Sequence, residues 1–154
     1  MEYYFLDTSA LVKKYHCESG TDVILNIINK NNINIYISDI AVIEFHSALL
    51  KKVRQHEIDR NACDMALQKF LQDCEAGDYL IEEFNDHIKE KSVDALNAYS
   101  VDYGLRTLDS IQLATALVLH DRDMLTYFVT SDLILERVAK AIGLKPINPE
   151  TWSI

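Results

Sequence analysis

Short apolar runs of strand length alternate with longer helical segments along this chain of 154 residues, and that alternation restricts the fold more than any other feature. Tyr3 to Leu6 is an apolar run ending in Asp-Thr-Ser, a buried strand followed by the start of a helix near Ser9. A helical pattern covers about Thr21 to Lys30, Asn31 and Asn32 break it, and Ile33 to Ile37 alternates as a strand. Ser38-Asp39 then caps a helix reaching about His56, and an amphipathic helix is expected over roughly Asp59 to Glu75, closed by Ala76-Gly77-Asp78. Tyr79 to Ile81 reads as a strand, followed by helices over about Asp86 to Tyr103 and Thr107 to His120, separated near Gly104. Leu125 to Thr130 is a strand, Asp132 to Ile142 a helix that Gly143 stops, and Lys145 to Ile147 a last short strand. Strands joined through helices pair in parallel, so the expectation is an α/β fold with helices on both faces of the sheet. Ligands of such sheets bind beyond the carboxyl ends of the strands.

With only four glycines and two prolines, the chain shows no linker and no repeat, and its length suits a single domain, 1–154. Cys17, Cys63 and Cys74 have no metal-type spacing and leave an odd one over, which favours a reduced, cytoplasmic setting over a disulfide framework. The opening MEYYFLDTSALVKKY lacks a basic leader followed by a long apolar stretch, and no later segment is apolar enough to span a membrane. The net charge of −9 argues against a passive nucleic-acid binder, which usually carries a basic face. The acidic excess lies almost wholly beyond residue 60, however. Lys13, Lys14, Lys51, Lys52 and Arg54 form either a basic rim or an ordinary solvated helix face, and both readings stay open at this point.

Four carboxylates stand in or beside apolar runs: Asp7 in FLDTSAL, Glu44 in AVIEFHSAL, Asp109 in LDSIQLATAL and Asp132 in YFVTSDLIL. Burying an uncompensated carboxylate costs several kcal/mol, so each needs an explanation. Asp7 could cap the following helix, although Thr8 and Ser9 could do so too and leave Asp7 free as a ligand. Glu44 lies four residues from both Ile40 and Ala48, on or beside the stripe formed by Ile40, Ala41, Ile43, Ala48 and Leu49, where a lysine partner is the plain alternative. Asp109 suits the first turn of its helix through the helix dipole, and Asp132 suits an N-cap. Taken together they point elsewhere, because Asp7 and Asp132 both fall just past a strand at the sheet's carboxyl edge. The natural partner of converging carboxylates is a divalent cation. His16, His46, His56, His87 and His120 show no ligand spacing, and no phosphate loop, nucleophile elbow or Ser/His/Asp order occurs, which removes NTPase and serine-hydrolase chemistry.

Four blocks carry a resemblance: Asp7 to Leu11 after an apolar strand; Ser38-Asp39-Ile40-Ala41-Val42-Ile43-Glu44-Phe45; Leu108-Asp109-Ser110-Ile111-Gln112-Leu113-Ala114-Thr115-Ala116; and Phe128-Val129-Thr130-Ser131-Asp132 with Gly143-Leu144-Lys145-Pro146 behind it. In this order and spacing the chain resembles a PIN domain over essentially its whole length, and more narrowly the VapC-type toxin nucleases of toxin–antitoxin pairs. The resemblance implies a PIN-like (Rossmann-like) parallel five-stranded sheet flanked by helices in three α/β/α layers. It also implies metal-dependent endoribonuclease cleavage of single-stranded or loop RNA to 5′-phosphate and 3′-hydroxyl ends, a small antitoxin partner and a homodimer. By motif position Asp7, Glu44 and Asp109 match the family's near-invariant acids and Asp132 its more variable fourth, while Thr8, Ser9, Thr130 and Ser131 resemble the supporting hydroxyls. The polar stretch from about Glu57 to Asp78 is longer than in the shortest such toxins, which implies a different antitoxin groove or RNA preference.

Oxygen ligands without histidine or thiolate suit Mg²⁺ or Mn²⁺. The expectation is that Asp7 and Asp109 bind one ion, that Glu44 holds its water shell or bridges to a second, and that Asp132 completes the second site. Such ions would turn a repulsive pocket into one that attracts phosphate, with the basic rim, Arg106 and the tyrosines as candidate strand contacts. Two other readings stay open: a PIN nuclease of RNA processing without an antitoxin, and a non-catalytic acidic α/β binding module whose carboxylates are caps and ion pairs.

Overall fold

The computed structural model describes residues 1–152. Its first half contains β1 (Glu2–Leu6), α1 (Thr8–Tyr15), α2 (Thr21–Ile28), β2 (Ile33–Ser38), α3 (Ile40–Arg54) and α4 (Arg60–Ala76). The second half contains β3 (Leu80–Glu82), α5 (Asp86–Tyr103), α6 (Thr107–Asp121), β4 (Tyr127–Val129), α7 (Leu133–Ala141) and β5 (Pro146–Ile147). The five strands form one sheet in the order β3-β2-β1-β4-β5, and every pair is parallel. Each expected element is present, with ends that shift by at most two residues.

β1 is central because both of its faces are apolar. Side chains alternate across a strand, so Tyr4 and Leu6 point to one face and Phe5 to the other. Tyr4 and Leu6 join Ile35 and Ile37 of β2 in a core closed by Leu11 of α1, Ile24 of α2, Phe45 and Leu49 of α3 and Phe70 of α4. Phe5 joins Phe128 of β4 in a second core with Leu113 and Leu119 of α6 and Leu135 and Val138 of α7. The Phe5 and Phe128 rings stack at 5.7 Å, as expected of same-face neighbours in the register Phe5↔Phe128. Helices on both faces make the three-layer α/β/α architecture that the resemblance implies.

The strand order reverses direction at β1: its neighbours β2 and β4 come from the two halves of the chain. Asp7 donates its main-chain N–H to the Val129 carbonyl at 3.1 Å, which carries the pairing one residue past the strand ends. The segments after β1 and after β4 therefore leave the sheet side by side. This is the crevice in which open parallel sheets bind ligands.

Two local expectations are corrected. Thr8 and Ser9 do not cap α1; the Asp7 carboxylate does, accepting the Ala10 N–H at 3.0 Å. At α3 the Ser38 hydroxyl takes the Ile40 N–H at 3.1 Å, while Asp39 turns its carboxylate to the Phe84 N–H at 2.9 Å and so ties the end of β3 to the start of α3. The long polar stretch is α4, anchored by Phe70 against Phe45 with ring centroids 4.2 Å apart. Its buried Asp73 is fully compensated, by Lys14 at 2.8 Å, Lys69 at 2.7 Å and the Tyr15 hydroxyl at 2.8 Å. Burial alone would raise the Asp73 pKa, but these partners win and hold it at about 2.

Candidate metal centre

A cleft of about 1040 Å³ opens at the carboxyl edge of the sheet, between α3 and the N-terminus of α6. Glu44, Asp109 and Asp132 line it, together with Thr8, Ser9 and Ser131. Asp7 lies just beneath, 4% exposed, with its carboxylate hung from groups that come from both halves of the chain. Oδ1 accepts from the Ala10 N–H at 3.0 Å and from the Ser9 hydroxyl at 2.8 Å, and Oδ2 accepts from the Thr130 hydroxyl at 2.9 Å. The Ser131 N–H donates to Ser9 Oγ at 2.8 Å, and the Asp132 N–H to Thr130 Oγ1 at 3.0 Å, so the Ser9 and Thr130 hydroxyls lock the two loop segments together. Thr8 instead receives the Gln112 amide at 3.2 Å.

Asp7 and Asp73 show what distinguishes a site residue from a structural one. Both are almost inaccessible to solvent, although Asp73 lies nearer the surface. Asp73 has two lysines; among the described residues Asp7 has none. Desolvation raises the Asp7 pKa, the three hydrogen bonds oppose it, Asp132 adds repulsion, and the group is pushed up to about 7. A carboxylate deprived of a cation at this depth is a standing cost of a few kcal/mol, which a bound cation would remove.

Glu44 is the second uncompensated acid. It lies one turn from Ile40 and Ala48 on the cleft face of α3, and among the described residues it has no basic partner within ion-pair distance. Burial raises its pKa, hydrogen bonds from Thr8 and Gln112 lower it, and the Asp109 charge raises it further. The face it shares is not the core, as its apolar neighbours suggested. Ala41, Phe45 and Leu49 pack inward, whereas Ile43 is 73% exposed at the cleft mouth. Gln112 is the residue that sequence reasoning passed over. Its Nε2 reaches Thr8 Oγ1 at 3.2 Å and Glu44 Oε1 at 3.4 Å, and its Oε1 is buried without a hydrogen-bond partner. The signal was available: Gln112 sits three residues after Asp109, on the same side of an otherwise apolar helix.

Asp109 and Asp132 differ from the inner pair. Asp109, at the third position of α6, takes the Arg106 N–H and the Arg106 Nε on Oδ2, each at 3.1 Å. Asp132 caps α7, with Oδ1 accepting from the Ile134 N–H at 2.8 Å and the Leu135 N–H at 3.0 Å. Its Oδ2 faces Arg106 Nη2 at 3.6 Å. Three of the acids thus line one cleft with Asp7 beneath it, but as they lie no three Asp, Glu, His or Cys side chains form a ready metal-binding group among the described residues. The donor set nonetheless fits a hard divalent cation. It is all oxygen, and among the described residues its two innermost members have no counter-ion and Gln112 Oε1 and Ser131 Oγ are buried without partners.

The expected basic rim is only partly present. Lys13 is buried and held by Glu18 at 3.0 Å and Glu150 at 2.8 Å, and Lys14 is turned to Asp73 and stacked over the Tyr79 ring. Lys52 bridges Glu18 and Glu57. Lys51 lines the cleft, exposed and, among the described residues, without an ion-pair partner. None of the five histidines lines the cleft.

Solved structures agree with this fold. No curated protein is significantly similar to the chain in sequence. Among solved structures, the chain is similar to Mycobacterium tuberculosis VapC20, described as a sarcin-ricin loop cleaving toxin, at 14% identity and a TM-score of 0.67, covering 95% of this chain and 99% of that one. It is also similar to FitAcB from Neisseria gonorrhoeae, at 16% identity and a TM-score of 0.65 over 97% and 99% of the two chains. VapBC2 from Rickettsia felis, solved bound to a DNA fragment from the promoter, matches at 17% identity and a TM-score of 0.64 over 97% and 98%. At these identities the likeness speaks for the fold alone. A model of the PIN domain matches residues 4–141, which contain all four acids, and the chain belongs to the PIN domain family.

Proposed function

We propose that this protein is a Mg²⁺- or Mn²⁺-dependent endoribonuclease, carried on a single domain, and the toxin of a VapBC-like toxin–antitoxin pair. The observation that carries the reading is the convergence of Glu44, Asp109 and Asp132 on one cleft with Asp7 buried beneath it, the inner two, Asp7 and Glu44, lacking a basic partner among the described residues. The VapC, FitAB and VapBC names of the similar structures support the toxin assignment and the antitoxin partner.

In this reading Asp7, Glu44, Asp109 and Asp132 hold the cation. When bound, a divalent ion there supplies positive charge to the scissile phosphate and acidifies a water for in-line attack. The chain's own contribution is positioning. Ser9 and Thr130 fix the orientation of the Asp7 carboxylate through hydrogen bonds of 2.8 and 2.9 Å. Gln112 holds Glu44 to the floor formed by Thr8. Lys51, two turns beyond Glu44 on α3 and so about 10 Å along the helix, offers its ammonium to the phosphate backbone of the strand. The α3 face between them carries Ser47 and Ala48, small side chains that leave room for that strand.

The test is cleavage of a single-stranded RNA by the purified protein with Mg²⁺, with Mn²⁺ and with chelator. Metal-dependent cleavage that Asp7→Asn and Glu44→Gln abolish supports the reading. Equal cleavage by wild type and Asp7→Asn would sink it, and absence of cleavage under either metal would leave the acidic binding module as the better description. Co-expression with the gene immediately upstream separates a toxin from an RNA-processing nuclease: a small protein that co-purifies and blocks cleavage is the antitoxin. The same preparation, weighed by light scattering, tests the homodimer.

A further inference from the structure

Arg106 precedes α6 at the mouth of the cleft, 71% exposed, and its guanidinium lies between the two outer acids. Nε is 3.1 Å from Asp109 Oδ2 and Nη2 is 3.6 Å from Asp132 Oδ2. We infer that Arg106 is a displaceable internal counter-ion: its guanidinium occupies the outer carboxylates of the metal-free site, a divalent cation must evict it, and Arg106 therefore sets the metal affinity. The inference rests on the metal reading given under the proposed function.

Three observations carry it. First, of the other cations of the cleft wall Lys13 is engaged by Glu18 and Glu150 and Lys52 by Glu18 and Glu57, and Lys51 pairs with no acid, so that among the described residues Arg106 is the basic side chain that pairs with any of the four acids, at Asp109 and Asp132. Secondly, the orientation of Asp109 survives without the guanidinium. The Arg106 main-chain N–H also donates to Asp109 Oδ2 at 3.1 Å, a contact that any residue at this position except proline supplies. Thirdly, the pairing is weak enough to break. An exposed ion pair contributes little after screening and side-chain ordering, and the link to Asp132 is already long. The guanidinium and a cation compete for the same oxygens, and neither can be fully bound to them while the other is.

The experiment is calorimetric titration of Mn²⁺ into the purified full chain without RNA, for wild type, Arg106→Met, Arg106→Lys and Lys51→Met, each checked for an unchanged circular-dichroism spectrum. Loss of a weak competitor predicts Mn²⁺ binding about three- to fivefold tighter in Arg106→Met. Lys51→Met removes the same charge from the same cleft without touching an acid, so a specific competition leaves its affinity near that of wild type. Arg106→Lys, with a point charge on a shorter reach, is expected to fall between. Equal tightening in Arg106→Met and Lys51→Met would reduce the effect to the general field of the cleft and overturn the inference. So would an unchanged or weaker affinity in Arg106→Met. Absence of Mn²⁺ binding in wild type and in Arg106→Met alike would overturn the metal reading itself, and the inference with it.

Discussion

Replacing Asp7 by asparagine should destroy cleavage and yet stabilise the metal-free protein above neutral pH. The Asp7 carboxyl is fully buried and its pKa is raised from 3.8 to about 7. A folded-state pKa above the unfolded value means that the folded state binds the proton more tightly. The associated stability is complete below about pH 4 and is lost as pH rises through about 7. The shift is about 3 units, and at 1.36 kcal/mol per unit the wild type loses about 4 kcal/mol across that window. Asparagine carries no such charge. It keeps an oxygen for the Ala10 N–H but cannot accept on both sides, and weakening the Ser9 or Thr130 contact returns about 1–2 kcal/mol. The balance is a variant about 2 kcal/mol more stable than wild type at pH 8, or roughly 4–8 °C in melting temperature for a chain of this length. Thermal melts in chelator from pH 4 to pH 8 should show the two curves converging at low pH, where wild type holds a slight advantage. Saturating Mg²⁺ should close the gap at pH 8, because only the wild type gains from the cation. A difference that does not vary with pH, or an asparagine variant less stable at pH 8, would refute the argument that Asp7 is a charge buried without compensation.

The remaining predictions separate roles that the geometry combines. Asp132→Ala should cost about 1 kcal/mol through the lost N-cap of α7, measured by urea denaturation, whereas Asp132→Asn keeps the cap and removes only the charge. If Asp132→Asn then cleaves RNA as wild type does, Asp132 is a cap and not a ligand. Lys51→Met, made in the inactive Asp7→Asn background, should weaken RNA binding and lower the slope of log K against log salt by about 0.7, read by fluorescence anisotropy; an unchanged slope removes Lys51 from the strand path. Phe70→Ala should cost about 3–5 kcal/mol in urea, since its ring is fully buried among Phe45, Tyr15 and Tyr79 and anchors α4 to the first core.

Element type was legible in the sequence because the two periodicities differ so sharply. β1 is a run that is apolar on both faces, which only a central parallel strand buries, while α5 shows its start at Asn85-Asp86 and its stop at Gly104. The candidate acids were legible as anomalies of burial, and Asp7 is one in the structure too. Partners distant in sequence were not legible. Lys13 looked like a surface cation beside Lys14, yet it is buried because Glu150 meets it from 137 residues away. Ile43 looked like core because a helix pattern shows which residues share a face and not what that face meets; the cleft keeps it exposed. Asp73 and Asp7 are indistinguishable as letters, and only the arrival of Lys14 and Lys69 at one of them separates a structural carboxylate from a hungry one.

The hydrogen bond from Thr130 to Asp7 spans 123 positions of the chain, and this has a consequence for synthesis. A ribosome delivers the Thr130 hydroxyl 123 residues after Asp7. At a translation rate of about 5–20 residues per second, roughly 6–25 s pass between the two. Through that interval the growing polypeptide holds its first acid with no β4 beside β1 and no second loop to orient it. A product terminated before Thr130 therefore holds Asp7 without the donor to its Oδ2.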